Sequence, residues 1–315
     1  MKRRTFFFFG LGGLAIAARE RYLFNVNKAK ISQLKTGQSQ APSALQGEPL
    51  LRFIAIGDVG TGKRGQYAVA RAMARYGQTS PFSLVLLAGD NIYDNGEIEK
   101  VEAAFERPYA QLLQSDVKFY AALGNHDVRI RQGEDEIVYP GYNMAGRYYS
   151  FSRHFAEGSI QFFALDTNQA YLDNLESWNA QLAWLQSELA ISSADWKVAF
   201  AHHPVYSSGH HGSDESLIET LSPIFEQGSV QLYINGHDHN YERTVAINGT
   251  IYITSGNGAK LRREGRAEWT AYSASRLGFT LFEVYDTQLE IRAFDTRNRV
   301  YDQVSISNVA QRSPS

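Results

Sequence analysis

No cysteine occurs among the 315 residues, which excludes disulfides, thiolate zinc sites and thiol nucleophiles. Any bound metal must therefore be held by His, Asp, Glu, Asn or Tyr, a donor set that suits hard or borderline ions. An excess of charge of either sign is also missing, with 31 basic and 33 acidic side chains and a net charge of −2. A dedicated nucleic-acid binder would usually carry a basic stripe, so nucleic acid is not expected as a partner. No apolar run reaches the ~20 residues needed to span a bilayer, so stable membrane anchoring is not expected. There is no Gly-x-Ser-x-Gly element and no internal repeat. With 43% hydrophobic residues, the chain can bury a large core in one domain of roughly 250 residues or in two smaller ones.

The longest apolar run near the start, Thr5 to about Ala18, follows Lys2-Arg3-Arg4 and contains Ala15-Ile16-Ala17. A positive cap, a short apolar stretch and small residues fit an export signal over residues 1–18. Arg3-Arg4 followed by Phe6-Phe7 resembles a twin-arginine signal, which would make the export machinery a partner and the product periplasmic or extracellular. Residues 19–49 are polar and without lasting periodicity, and are expected to form a linker. A folded domain is expected over 50–308, with a short tail at 309–315.

From Leu50 onward, short apolar runs alternate with segments of helical spacing. LRFIAIG, FSLVLLAG, VKFYAALG, WKVAFA and VQLYING have the length and composition of buried strands. Between them, YAVARAMARY, VEAAFERPYAQLL, NAQLAWLQSELA and SLIETLSPIFEQ repeat their apolar residues at helical intervals. This alternation predicts largely parallel pairing. The last part of the chain, TVAIN-GTIYITSG, FTLFEVYD-TQLEIRAFD and RVYDQVSIS, has the pattern of hairpins and finishing strands. Two sheets packed face to face, with helices outside, are expected.

Each of the five strands runs directly into residues able to bind a metal: Asp58, Asp90, Asn125-His126-Asp127, His202-His203 and His237-Asp238-His239. Ligands gather at the carboxyl ends of strands in open α/β sheets. All histidines except His154 lie in these segments or in the adjoining loop that holds His210 and His211. Gly57 to Arg64, GDVGTGKR, comes close to a phosphate-binding loop, but Arg64 stands where the magnesium-binding hydroxyl should be. Asp58 would also oppose phosphate there and is better aimed at a metal. Asp90 is suited to bridge two ions, because one carboxylate offers two oxygens. His237 and His239 are two residues apart, and a tight loop could let each meet a different ion. The Glu134-Asp135-Glu136 run has the composition of a solvated loop, and Arg147-Tyr148-Tyr149 that of a solvent-facing strand.

The ordered set GDVG, GDNIY, GNHD, AHHP and GHDH resembles the calcineurin-like metallophosphoesterases, and specifically the purple acid phosphatases. Most of that superfamily begins with Asp-x-His; here the third residue is Gly60, and a tyrosine, Tyr93, follows the bridging aspartate. LRFIAIGDVG, LAGDNIYDNG, QLAWLQSEL, HHPVYSSGHHG and GHDHNYER resemble the small, tartrate-resistant-like branch. The resemblance implies an α/β fold, a four-layer α/β/β/α sandwich with two central mixed sheets and the metal site at the strand ends. It implies Fe(III) at a first site of Asp58, Tyr93 and His239, and Fe(II), Zn(II) or Mn(II) at a second of Asn125, His202 and His237, with Asp90 shared. His126 and His211 would serve as catalytic groups on the substrate side. The implied activity is acid phosphatase chemistry on a small phosphorylated substrate, in which metal-activated hydroxide attacks a phosphate monoester. A phosphodiesterase or nucleotide phosphatase could use the same ligands.

Overall fold

In the computed structural model, residues 47–156, 158–172 and 175–307 are described. The expected export signal, nearly all of the linker and the C-terminal tail lie outside them. Among the described residues, no helix is long and apolar enough to cross a membrane.

The five expected strands form as β1 (Leu51–Ile56), β2 (Leu84–Ala88), β3 (Lys118–Ala122), β6 (Trp196–Phe200) and β7 (Leu232–Asn235). They do not share one sheet. The first sheet runs β13-β12-β11-β1-β2-β3, with β11 (Gly278–Val284), β12 (Gln288–Asp295) and β13 (Val300–Ser307) supplied by the end of the chain. The second runs β10-β8-β9-β7-β6-β5-β4 and includes β4 (Tyr149–Phe155), β5 (Gly158–Ala164), β8 (Tyr241–Thr244), β9 (Ile251–Ser255) and β10 (Thr270–Ala274). The C-terminal strands thus divide between the two sheets. Strands β1, β2 and β3 are parallel to one another. So are β5, β6, β7 and β9. The hairpin of β4 and β5 was not anticipated, although Ser159-Ile160-Gln161-Phe162 alternates polar and apolar residues as a half-buried strand does.

Three apolar layers hold the stack together. Phe53, Ala55, Leu84, Leu86, Phe282 and Ile291 of the first sheet meet Phe162, Val198, Phe200, Ile234 and Ile253 of the second. The other face of the first sheet, including Ile54, Val85, Leu87 and Phe119, packs on helices α1 (Arg64–Thr79) and α2 (Arg107–Gln114). That of the second, with Phe163, Ala199 and Tyr233, packs on α4 (Glu176–Ile191) and α5 (Glu215–Gln227); a short α3 spans Glu134–Ile137. The result is an α/β/β/α sandwich with two mixed sheets. In α1, Gln66, Val69, Ala70 and Met73 are buried at the i, i+3, i+4, i+7 spacing of one helical face. The Asp214 carboxylate accepts from the Leu217 amide at 2.9 Å and starts α5, as N-cap residues do.

A buried polar knot fixes the ends of β2 and β3. Asp127 accepts the backbone N–H groups of Asn91 (2.9 Å), Ile92 (3.1 Å) and Gly124 (2.7 Å). The Asn91 amide in turn donates to Ala122 O at 2.9 Å and to Glu136 Oε2 at 3.2 Å. Glu136 is fully buried, contrary to the solvated loop expected of the Glu134–Glu136 run. The run is amphipathic over one turn, and three acidic residues in sequence concealed that. Burial and then the neighbouring Asp127 push the Glu136 carboxyl well above its ordinary 4.5. In the fold it stays protonated, while the unfolded chain releases its proton first as pH rises. Stability from this group is therefore full below about pH 4.5 and declines above it. Glu136→Gln keeps the shape without the proton, and it should gain stability over the wild type as pH rises above 4.5. The gain is at most ~1.4 kcal/mol per pH unit, the linkage of one proton. Urea midpoints across pH check this, and a difference that does not change with pH would contradict it.

Candidate metal centre

The five strand ends converge although they belong to two sheets. Three residues at these ends hold left-handed backbone without being glycine: Asp58 (φ 58°), Asp90 (φ 55°) and His237 (φ 68°). Such conformations cost about 1–3 kcal/mol each and persist where the surroundings impose them. Here they turn each side chain back across the strand end. Asp58 is fully buried, and its Oδ2 accepts the His237 amide of the opposite sheet at 2.8 Å.

On one side, three donor atoms form a near-equilateral triangle. Tyr93 OH lies 3.2 Å from Asp58 Oδ1 and 3.3 Å from His239 Nε2, and the last two are 3.2 Å apart. Asp90 lies within the same group of donors. On the other side, Asn125 Oδ1 is 3.0 Å from His202 Nε2 and 3.1 Å from His237 Nδ1, which are 3.1 Å from each other. Asp90 Oδ1 stands 3.4 Å from His202 Nε2 and so borders both triangles. The loop after β7 does send His237 and His239 to different sides.

These triangles fit metal ions. Donors held at bonds of about 2.1 Å around an octahedral or tetrahedral ion lie about 3.0–3.4 Å apart. The chemistry of the second triangle agrees. His202 Nδ1 lies 2.9 Å from Ala88 O and donates to it, which makes Nε2 the nitrogen that faces the triangle. Asn125 Oδ1 is an acceptor. Burial, and then the charges of His202, His203 and His211, hold His237 far below the ordinary imidazole range. Burial opposes a charge on His202, but Asp90 and then Asp58 outweigh it and raise its pKa above 6.5. A proton there relieves the contact of these donors until a metal cation takes its place. In the first triangle, burial and then the charges of Asp58 and Asp90 push the Tyr93 phenol far above its ordinary 10. The phenol therefore donates to Asp58 until a strong Lewis acid takes the place of its proton. Burial opposes ionisation of Asp90, but the charges of His202 and His126 outweigh it and hold its carboxyl below 3.8.

Gly60 explains how Tyr93 reaches the site. A Cβ at Gly60 would lie 2.2 Å from the backbone carbonyl of Asn91. No side chain fits there, because the loop carrying Tyr93 is laced to Gly60: the Gly60 amide donates to Asp90 O at 3.0 Å, and the Tyr93 amide to Gly60 O at 2.8 Å. A histidine at 60 and this placement of Tyr93 are mutually exclusive.

A calcineurin-like phosphoesterase family model matches residues 51–241. Purple acid phosphatase 4 of Arabidopsis thaliana is 30% identical over 273 residues, covering 78% of this chain and 80% of the relative. The chain belongs to the purple acid phosphatase family. It is therefore a metal-dependent phosphoesterase. Tartrate-resistant acid phosphatase type 5 of Oryctolagus cuniculus is 30% identical, covering 69% of this chain and 75% of the relative. Among solved structures, the purple acid phosphatase from yellow lupin seeds superposes with a TM-score of 0.69 at 19% identity, over 83% of this chain and 54% of that one. GAP50, the anchor in the inner membrane complex of Plasmodium, superposes with a TM-score of 0.75 at 20% identity, over 82% and 89%. Two such different neighbours share the fold alone.

The remaining sequence-derived residues of this phosphatase divide into three groups. His126 and His211 both reach the centre. The His126 amide donates to Asp90 Oδ1 at 3.0 Å, and its ring lies 4.5 Å from that of Tyr93. The His211 ring lies 4.0 Å from that of His237, and burial lowers its pKa below 6.5. Asp127 and Asp238 hold loops: Asp238 accepts the His211 amide at 3.0 Å and the Ser207 hydroxyl at 2.5 Å. His203 is buried, with its Nδ1 2.8 Å from the Thr167 hydroxyl. Arg147 turns from the centre to Asp166 and Glu134, Tyr149 is buried and donates to Ala121 O, and His154 is exposed on β4.

Sequence reasoning missed three cations. Lys260 Nζ sits 3.7 Å from the centroid of the Tyr93 ring. Arg262 hydrogen-bonds His211 Nε2, and Arg129 Nη2 lies 3.5 Å from His126 Nε2. A signal existed: Lys260 and Arg262 follow β9, another strand parallel to β7 whose carboxyl end opens on the same site.

Gly60→Ala should destabilise the fold by about 3 kcal/mol or more, since the new methyl meets rigid backbone. It should also weaken metal retention through displacement of Tyr93. Thermal melts with metal content check both, and a stable Gly60→Ala protein with unchanged metal would contradict this packing.

Proposed function

We propose that this chain is an acid phosphatase that hydrolyses phosphate monoesters at a dinuclear Fe(III)–M(II) centre. Asp58, Tyr93 and His239 would hold Fe(III), and Asn125, His202 and His237 would hold Fe(II), Zn(II) or Mn(II), with Asp90 between them. The observation that carries this reading is the Tyr93 hydroxyl in contact with both Asp58 and His239, beside a glycine at position 60. A phenolate is a hard anionic donor, which among first-row ions favours a trivalent one. When bound, the two cations would neutralise phosphate charge and lower the pKa of a water.

The side chains do the rest. Asp90 keeps the two donor triangles at a fixed separation, so a phosphate could be met by both. His126 is fixed through Nδ1, which donates to Asp94 O at 2.6 Å, so Nε2 is its working nitrogen. Protonated, that nitrogen can give its proton to the departing alcohol oxygen, a role worth about 10²–10⁴ in rate. His211, with its lowered pKa, is neutral over most of the neutral range and carries a proton only in acid. A supply of protons that grows with acidity, beside an Asp90 carboxyl held below its ordinary 3.8, accords with an acid optimum. A diester would leave one charge fewer for the centre and bring a second bulky group to it.

The purified protein should contain iron, show a broad visible band and hydrolyse p-nitrophenyl phosphate faster than its bis-ester. Tyr93→Phe should abolish the band and lower kcat/KM at least tenfold. Retention of the band in Tyr93→Phe, or faster turnover of the bis-ester, would contradict the proposal.

A further inference from the structure

Lys100 and Lys118 pair with the carboxylates of Glu97 and Asp116, each at 2.7 Å. Lys260 takes a different partner. Among the described residues it forms no ion pair, and its Nζ lies over the ring of Tyr93, 3.7 Å from the centroid. The backbone that presents it is pinned on both sides. Behind it, Gly65 of α1 lies so close to Ala259 O that a Cβ at 65 would come within 2.1 Å of that oxygen. Ahead of it, the Arg262 amide donates at 2.8 Å to the carbonyl of His239, a member of the first triangle. Tyr93 is only 7% exposed, so the ammonium stands against a ring largely shut off from water. A cation over an aromatic face is drawn to the negative side of the ring's quadrupole, and the attraction grows as water leaves. It grows again when the phenol oxygen exchanges its proton for a metal ion, because the ring then shares a full negative charge.

Resting on the reading of Tyr93 as a phenolate ligand of iron, we propose that Lys260 is a positioning residue that tunes the first ion through Tyr93. It sets a charge over the ring and need not touch substrate. That charge stands closer to the ring than to the carboxylates of Asp58 and Asp90, with which Lys260 forms no ion pair. A positive charge so placed lowers the energy of the ring's π electrons more than that of the ion's d orbitals. Charge transfer from phenolate to Fe(III) then takes more energy, and the visible band lies at shorter wavelength than it would without Lys260. The phenolate also donates less. The ion keeps more of its positive charge, which raises the one-electron Fe(III)/Fe(II) couple and polarises an oxygen ligand more strongly.

The test compares visible spectra and spectroelectrochemical midpoints of wild type, Lys260→Met, Lys260→Gln and Lys260→Arg, without substrate and at one pH and ionic strength. Methionine keeps the aliphatic cover and removes the charge, while arginine keeps the charge. Two neutral variants are used so that a folding defect in one leaves the other to decide. In both, the band should move to longer wavelength, on the order of ten nanometres, and the midpoint should fall. In Lys260→Arg both should stay close to wild type. An unmoved band and midpoint in the neutral variants would overturn the proposal and make Lys260 a cover over the ring or an attractor of substrate. A shift in Lys260→Arg as large as in Lys260→Met would also overturn it, by tracing the effect to packing rather than charge. Wild type purified without iron would instead overturn the iron reading. The same comparison on protein reconstituted with ferric salt then decides the proposal, and ferric protein without a visible band would overturn both.

Discussion

The buried carboxylate of Asp58 ties the two sheets into one site. Its Oδ2 takes the His237 amide from the second sheet, while Oδ1 faces Tyr93 from the first and His239 from the second. An ionised carboxylate without water is costly unless its oxygens are paired. Asp58 meets that demand only when β1, the β2 loop and the β7 loop are all in register. Asp58, Asp90 and His237, at three of the converging strand ends, share left-handed backbone. Fold and site are therefore not separable here, and the apolar layers serve to hold three strained turns against one another.

The second constraint is the exchange between Gly60 and Tyr93. The absence of a side chain at 60 lets the loop after β2 lie against the loop after β1, and that contact carries Tyr93 to Asp58 and His239. One missing Cβ thus brings a phenol oxygen beside Asp58 and His239 on one side of the centre. Behind this loop, Asn91, Asp127 and Glu136 anchor the same backbone through buried hydrogen bonds. The substrate side is organised by the same device, with Asp238 holding the loop of His211.

The sequence made much of this legible because metal ligands at strand ends leave a local signature: an apolar run followed at once by Asp, Asn or His. Two-residue spacing leaves open whether His237 and His239 share a side, which the loop after β7 decides. The five strands that end at the centre and the four long helices follow from patterns a few residues long. The division of the C-terminal strands between two sheets does not, since pairing partners such as β1 and β11 lie more than 200 residues apart. Glu136 was hidden for a related reason: its burial depends on Asn91, which only the fold brings near. Lys260 and Arg262 were overlooked because a basic run after a strand looks like solvated surface until β9 is known to run parallel to β7.

Whether the fold holds a phenolate-ligated iron beside a second, different site is decided by anomalous diffraction from crystals of the metal-loaded protein across the iron absorption edge. An iron peak is expected among Asp58, Tyr93 and His239, and a second metal peak among Asn125, His202 and His237. A first triangle without iron, or one that binds metal with the Tyr93 hydroxyl turned away, would contradict it.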